Sequence, residues 1–281
     1  MVREDTFLES ILETVLSDGR GAALLTKFFA DRGEKEGRVI SVGGALFRPV
    51  QHAVFESQLK PLLKEWPADS FHSADFYPGG GDFWRKDKNN VTDPRRQALF
   101  EKQSVLIQNL MASHVHKFFI STFRPLEYER VAPLWFRKKF GGAHTVAMQL
   151  MAGQVGHWAN ESNFEGDIVY FFETGDPETA AIEKALRRSY SDPKQREHCR
   201  MASTPIGIDK TKARGLDAAD YIAWHWNRDF AERLDSPTPR NQRKDTGAFL
   251  KKLALRKESV DVKLFTNGSL KYFLNQHGCS I

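Results

Sequence analysis

Apolar residues recur at two different spacings along the chain, and each spacing predicts a different kind of secondary-structure element. Two apolar runs around a polar turn, within residues 22–47, predict a β-hairpin whose turn contains Gly33 and Gly37. Further strands are predicted at 115–123, 166–176 and 199–206, and residues 71–87 are predicted to be part strand and part loop. Apolar residues at helical spacing predict helices at 5–17, 50–65, 93–113, 127–158 with a break near Gly141, 177–189 and 215–229. Strands that alternate with helices predict an α/β sheet with helices packed on it.

The last predicted helix, GLDAADYIAWHWNRD, has an apolar stripe with a carboxylate at its edge. The stripe recurs every three or four residues, at Leu216, Ala219, Ala223, Trp226 and Phe230. Asp217 lies in the first turn, where the helix macrodipole favours an acidic side chain. Asp220 lies beside the stripe that should be buried, so its position needs a further explanation.

Length and composition indicate a soluble globular protein. The chain has 281 residues, of which 41% are hydrophobic and 27% charged. No apolar run approaches the ~18 residues of a membrane span, and the acidic, amphipathic N-terminus is not a secretory signal. Two cysteines in this length fit a reducing compartment, and the pairs His198–Cys199 and His277–Cys279 match no common zinc spacing. We therefore predict a cytoplasmic protein with no membrane association.

The net charge of +5 permits an anionic partner, and the basic residues are concentrated near the C-terminus. Residues 236–263 contain eight Lys or Arg against three acidic residues, which predicts either a solvated tail or an arm that contacts phosphates. Pro237 and Pro239 predict a linker before this segment. The predicted organisation is an amphipathic helix at 1–21, a domain at 22–235 and a basic appendage at 236–281.

Three acidic residues occur where elements of an α/β sheet could bring them together. Asp31 is predicted to end the first strand, Glu173 ends the strand IVYFFE, and Asp220 lies near the start of the late helix. Several carboxylates at one point suit Mg²⁺ or Mn²⁺, since these ions prefer oxygen ligands. Each residue also has an ordinary explanation: a turn residue, a solvated strand end and a helix N-terminus.

Four segments resemble the family called domain of unknown function 3800, bacterial and phage proteins with an RNase H-like fold. The segments are FFADRGEKEGRVISVGGALF, SFHSADF, IVYFFETGD and GLDAADYIAWHWNRD, and together they span roughly residues 26 to 232. The resemblance implies an RNase H-like mixed sheet flanked by helices, with a helical insertion. The N-terminal helix and the basic C-terminal appendage lie outside the resemblance and complete the predicted organisation. It also implies a metal-dependent nuclease site in which Asp220 matches the helix aspartate, Glu173 the strand-end acid and His72 the histidine, with Asp75 close behind it.

The first motif departs from the family pattern, because Ala30 stands where the leading aspartate is expected. Side chains alternate across a strand, so Asp31 need not point where Ala30 points. Three explanations are open. The site has lost a ligand, or a local bulge lets Asp31 replace it, or alanine was introduced in place of an aspartate.

The function that this resemblance implies is hydrolysis of phosphodiester bonds, in a toxin or a phage-defence effector. Carboxylate-held Mg²⁺ or Mn²⁺ would activate water, and His72 would shuttle a proton. The candidates for nucleic-acid contacts are basic residues of the Gly-rich loop and of the C-terminal segment: Arg85, Lys86, Arg240, Arg243 and Lys244. The alternative is a non-catalytic module that binds nucleic acid or a protein, and a protein partner in a defence or toxin complex is compatible with both.

Overall fold

The computed structural model describes residues 26–35, 38–64, 71–76, 94–175, 178–234, 250–251, 253, 255–265, 271 and 274–275. The strands are β1 (Thr26–Lys35), β2 (Val39–Phe47), β3 (Lys117–Phe123), β4 (Ile168–Glu173), β5 (Ile206–Ile208) and β6 (Val260–Phe265). The first helices are α1 (Pro49–Lys64), α2 (Ser73–Phe76), α3 (Pro94–His114), α4 (Pro125–Val131) and α5 (Leu134–Phe140). The later helices are α6 (Ala143–Glu161), α7 (Thr179–Ser191), α8 (Pro193–His198) and α9 (Gly215–Leu234).

All six strands belong to one mixed sheet, in the order β5-β4-β1-β2-β3-β6. The strands β1, β2 and β3 form an antiparallel meander, and the predicted hairpin is its first half. The strands β4 and β5 extend the sheet from β1 in parallel, and β6 pairs in parallel with the far edge of β3. The predicted α/β class, a mixed sheet flanked by helices, is confirmed.

Helices cover both faces of the sheet, and strand alternation separates two cores. Phe29 and Phe171 face α9, while Phe28 and Phe172 face α6 on the opposite side. The apolar stripe predicted on α9 is buried along its whole length, as expected for a helix that lies across β1 and β2. Within the described helices, no stretch combines the length and the apolar character needed to cross a bilayer.

The chain between β4 and β5 differs from the prediction of a strand at 199–206. Residues 193–198 form α8, and β5 is limited to Ile206–Ile208. Asp192 starts the helix, since its side chain accepts hydrogen bonds from the backbone N–H of Lys194 at 2.9 Å and of Gln195 at 3.3 Å, with Pro193 following it. The segment predicted as part strand and part loop forms α2 where it is described.

The predicted domain boundaries stay predictions, although β6 adds information about the C-terminal segment. The strand lies within the predicted basic appendage, yet it pairs with β3 from Val260 opposite Phe118 to Phe265 opposite Phe123. The predicted N-terminal helix at 1–21 lies outside the described residues.

Glycines on the sheet allow α9 to approach its strands closely. A Cβ added at Gly43 would lie 2.5 Å from the carbonyl oxygen of Ala219 and 2.7 Å from the backbone nitrogen of Ala223. Both atoms belong to the helix backbone, which cannot move aside as a flexible side chain can. The glycine therefore sets the height of α9, and with it the position of Asp220, above the sheet.

We expect Gly43→Ala to lower the free energy of unfolding by about 1–3 kcal/mol, because the added methyl overpacks the β2–α9 contact. Urea unfolding followed by circular dichroism measures the change. The control is Gly153→Ala in α6, where an added Cβ meets nothing within 4 Å. In that variant the free energy of unfolding should rise by about 0.5–1 kcal/mol, since alanine has a higher helix propensity than glycine. Equal stability of the two variants would contradict the close packing of α9.

Candidate functional site

The candidate site lies beneath α9, where the carboxyl ends of β4 and β5 meet the middle of β1. The rings of Phe29 and Phe171 stack with centroids 4.9 Å apart, so the next residues of the same parity, Asp31 and Glu173, share the face that α9 covers. Glu173 pairs in register with Ile208 of β5, and Lys210 follows two residues later. Register thus brings two carboxylates and a lysine to one edge of the sheet.

Asp31 does not end the first strand as predicted, because β1 continues to Lys35 along β2. Its pairing with β4 does end there, at Ala30 opposite Phe172. The longer hairpin therefore passes beyond β4, and Asp31 lies level with the carboxyl end of its parallel neighbour.

Lys210 lies at the centre of the acidic residues, in a 3₁₀ turn after β5. Its Nζ donates a hydrogen bond to Asp31 Oδ2 at 2.9 Å, and lies 3.3 Å from Asp220 Oδ1 and 4.0 Å from Glu173 Oε2. Only 4% of the lysine is exposed, which is unusual for this residue type unless it is paired. The three carboxylates predicted from the sequence therefore converge, and the point on which they converge holds an ammonium group.

Two of these carboxylates also accept hydrogen bonds from backbone N–H groups. The N–H of Ser73, at the start of α2, donates to Asp220 Oδ2 at 2.7 Å, and the N–H of Arg32 donates to Asp31 Oδ1 at 2.6 Å. His72 precedes Ser73, and its Nδ1 lies 3.5 Å from the Lys210 ammonium. Asp220 thus lies beside the buried stripe of α9 because it reaches a shared polar cluster.

Burial divides the acidic groups into charged and protonated ones. Burial raises the pKa of Glu173 to about 9, helped by the hydrogen bond with Asp31 and by the charge of Asp31. Burial also opposes the ionisation of Asp31, but the Lys210 charge and hydrogen bonds from its neighbours outweigh it and lower the pKa of Asp31. Burial disfavours the Lys210 ammonium, yet the charges of Asp220, Asp31 and Glu173 outweigh this and raise the pKa of Lys210. A protonated Glu173 beside an ionised Asp31 and a charged lysine follows at neutral pH.

Asp217 is a fourth acidic group of the cluster, and the helix macrodipole does not account for its burial. Its side chain is 0% exposed, and the Arg214 guanidinium lies 3.6 Å from it. Burial raises the pKa of Asp217 to about 8, against the opposing charges of Lys210 and Arg214.

We expect Asp217→Asn to stabilise the protein at pH 7 by on the order of 2 kcal/mol, and to have little effect near pH 4. The pKa of this acid is higher in the folded than in the unfolded chain, so the folded state loses stability as pH rises from about 4 to about 8. Asparagine does not titrate and removes that loss. Urea unfolding of both proteins at pH 4, 5.5 and 7 measures the difference, and a gap that does not widen with pH would contradict the assignment.

Ala30 lies on the opposite face of β1 from Asp31, in the core that contains Phe28 and Phe172, and it also lines the cleft beside the acidic cluster. The β1–β2 pairing runs without interruption from Lys27 opposite Phe47 to Lys35 opposite Val39. Because the register contains no bulge, that explanation is wrong: Asp31 reaches the cluster through ordinary strand alternation.

The other predicted site residues fall into two groups. A cleft of about 490 Å³ is lined by Asp31, His72, Glu173 and Asp220, together with Lys210 and His144 among others. Asp75 lies in α2 and does not line this cleft. The predicted nucleic-acid contacts lie outside the described residues: Arg85, Lys86, Arg240, Arg243 and Lys244.

Sequence reasoning did not identify Lys210 as a member of the site. It occurs in a polar turn, IDKTK, where a lysine is normally solvated. Only the register of β5 beside β4 reveals its place, and a three-residue strand gives little periodic signal.

The donor set suits a hard divalent ion, but its present arrangement does not surround one. Within the described part of the chain, no three Asp, Glu, His or Cys side chains are grouped so that they could hold a metal ion. The ammonium of Lys210 stands between the carboxylates instead. Carboxylate oxygens from three elements fit Mg²⁺ or Mn²⁺ by chemistry, provided that the lysine gives up its position.

The strand order and the acidic cluster define a mixed α/β protein with a polar site at the carboxyl ends of β4 and β5. No family model matches the chain, and no curated protein matches it in sequence, so the resemblance to the domain of unknown function 3800 family stays a prediction. Ribonuclease H2 from Pyrococcus horikoshii is a similar solved structure, with a TM-score of 0.38 and 11% identity over 90% of this chain and 100% of that chain. Ribonuclease HII from Archaeoglobus fulgidus, solved in a complex with PCNA, has a TM-score of 0.36 and 12% identity over 86% of this chain and 98% of that chain.

Proposed function

We propose that this protein is a metal-dependent nuclease that hydrolyses phosphodiester bonds at the cluster of Asp31, Glu173 and Asp220. The observation that carries the proposal is the convergence of these three carboxylates, from β1, β4 and α9, within 4.0 Å of one point. Buried carboxylates repel one another, so a fold that brings three together does so around positive charge. The cleft beside them, about 490 Å³ in volume, gives a substrate access to that point.

The three carboxylates would hold Mg²⁺ or Mn²⁺, which supplies positive charge that activates water and neutralises the phosphate. The residues of the chain position the other groups. Ser73 and Arg32 fix Asp220 and Asp31 through backbone N–H groups, so neither carboxylate is free to turn away. His72 lines the same cleft and would carry a proton to or from the reacting oxygen, since an imidazole can both accept and donate a proton.

A non-catalytic module that binds nucleic acid or a protein is the second candidate, and Lys210 is the observation that favours it. A lysine that already neutralises the carboxylates stabilises the fold without any metal ion. The position of Ala30, where the resemblance leads one to expect an aspartate, supports the same candidate. The proposed role in a toxin or in phage defence concerns the biological setting and rests on the resemblance alone.

The test is a cleavage assay on labelled single- and double-stranded DNA and RNA, with Mg²⁺ or Mn²⁺ and with EDTA. We expect the natural chain, assayed beside Ala30→Asp, to cleave at least one substrate only when the metal is present. Cleavage by Ala30→Asp alone would mean that the chain is a nuclease disabled at residue 30. No cleavage by either protein would favour the binding module.

A further inference from the structure

We infer that Lys210 is a resident cation that holds the carboxylates in place when no metal is bound, and that a divalent ion must displace it. The inference rests on the proposed function, because it concerns the same three carboxylates. It adds a competition: the ammonium and the ion cannot share one position.

The first argument is geometric. The Lys210 Nζ lies 2.9 Å from Asp31 and 3.3 Å from Asp220, both within the range of a charged pair, and 4.0 Å from Glu173. These contacts come from three different elements, so the lysine links β1, β4 and α9 at this point. Removal of the ammonium without replacement would leave buried carboxylates facing one another, which is strongly unfavourable.

The second argument is charge. Four acidic side chains surround this point, if Asp217 is included, and the cations within the described contacts are Lys210 and Arg214. The ammonium carries one positive charge and Mg²⁺ or Mn²⁺ carries two, so an ion at the same point attracts the oxygens of Asp31 and Asp220 more strongly. The ion therefore has an electrostatic advantage that offsets the loss of the lysine contacts.

The third argument is that the Lys210 side chain can leave the acidic cluster. It belongs to a three-residue 3₁₀ turn whose neighbours Asp209, Thr211 and Lys212 are exposed, and its side chain lines the open cleft. The long, flexible stem can therefore turn into the cleft without movement of the sheet. By contrast, Asp31 and Asp220 are fixed by backbone donors and would stay to receive the ion.

The first experiment compares Mn²⁺ binding by the natural chain, Lys210→Met and Lys212→Met, using calorimetry or electron paramagnetic resonance. Lys212→Met is the matched control, because it removes an exposed lysine from the same turn. We expect Lys210→Met to bind Mn²⁺ at least tenfold more tightly than the natural chain, and Lys212→Met to bind within twofold of it. Without metal, Lys210→Met should melt at a lower temperature, and Mn²⁺ should restore more of its thermal stability than it adds to the natural chain. Equal affinities, or no binding by either protein, would overturn the inference.

A second experiment uses the natural chain and does not depend on the folding of a variant. Acetic anhydride labels exposed lysines, and mass spectrometry reports the labelled fraction of each one. We expect Lys210 to be protected without metal, since 4% of it is exposed, and to be labelled several-fold faster at saturating Mn²⁺, while Lys212 labels equally in both conditions. Unchanged protection of Lys210 at saturation would overturn the inference.

These outcomes separate the inference from the proposed function. Tighter Mn²⁺ binding by Lys210→Met without cleavage of any substrate would support the displacement and reject the nuclease. Metal-dependent cleavage with equal affinities and unchanged labelling would support the nuclease and reject the displacement.

Discussion

Asp220→Asn is expected to reduce metal-dependent cleavage at least about 100-fold, because even groups that only support a metal ligand change affinity or activity by about 10–100-fold when mutated. Asparagine has the same shape and its side-chain oxygen can still accept the hydrogen bond from the Ser73 N–H, at 2.7 Å in the natural chain. The substitution removes the negative charge that faces Lys210 and would face the ion. Initial rates at saturating Mn²⁺, with circular dichroism to check the fold, measure the effect.

Glu165→Gln is the matched control for this loss. Glu165 is an exposed acid just before the amino end of β4, the opposite end from Glu173, so its removal should leave the rate within about twofold. A folded Asp220→Asn protein that retains its full rate would place the chemistry elsewhere, whatever the natural chain cleaves. Equal losses in both variants would point to general electrostatics instead of a role of the cluster.

Trp226→Ala is expected to cost about 3–5 kcal/mol in the free energy of unfolding, the largest change in stability that we predict. The indole is 2% exposed, stacks on Phe230 with centroids 6.0 Å apart, and belongs to the buried stripe of α9. Its Nε1–H donates to Thr122 Oγ1 at 2.7 Å, and that hydroxyl lies 3.0 Å from Ser41 Oγ. Truncation leaves both a cavity and an incomplete buried hydrogen-bond network, and urea unfolding at pH 7 measures the sum.

Trp226→Phe separates the two contributions. Phenylalanine fills most of the volume but donates no hydrogen bond, so we expect a smaller loss of about 1–3 kcal/mol. If Trp226→Ala and Trp226→Phe lower the free energy of unfolding equally, the lost hydrogen bond to Thr122 would explain the whole effect, and the cavity would contribute nothing to it. A cost below 1 kcal/mol for alanine would mean that α9 does not pack on the sheet as described.

Elements with a strong local pattern could be predicted from the sequence. The β1–β2 hairpin shows two apolar runs around a polar turn, and α9 shows an apolar stripe, so both elements were predicted. Their bounds were less exact, because β1 includes Gly33 of the predicted turn and α9 extends five residues further, to Leu234. The short strand β5 could not be located from the sequence, because three residues show too little alternation of apolar and polar positions. Before it, residues 193–198 form a helix that Asp192 caps, and the sequence analysis did not predict that helix.

The acidic half of the site was predictable for a similar reason. Asp31, Glu173 and Asp220 each occur at a position that an α/β sheet brings to one edge, so their meeting follows from the order of elements. The basic member of the site, Lys210, could not be predicted. Its role depends on the β4–β5 register and on a hydrogen bond to Asp31, which lies 179 residues earlier in the chain. The burial of Asp217 likewise depends on how α9 settles on the sheet, which periodicity does not specify.

The parallel pairing of β3 with β6 has a consequence for the order in which the chain can fold. Phe118 pairs with Val260, far along the chain, so the strand partner that the structure shows on the outer side of β3 is missing until residues 260–265 have been synthesised. During synthesis the residues that form β1 to β5 emerge first, and β3 then presents a row of unpaired backbone N–H and C=O groups. A ribosome-bound chain that has reached β5 is therefore most exposed to association with other nascent chains along β3, and β6 closes that edge last.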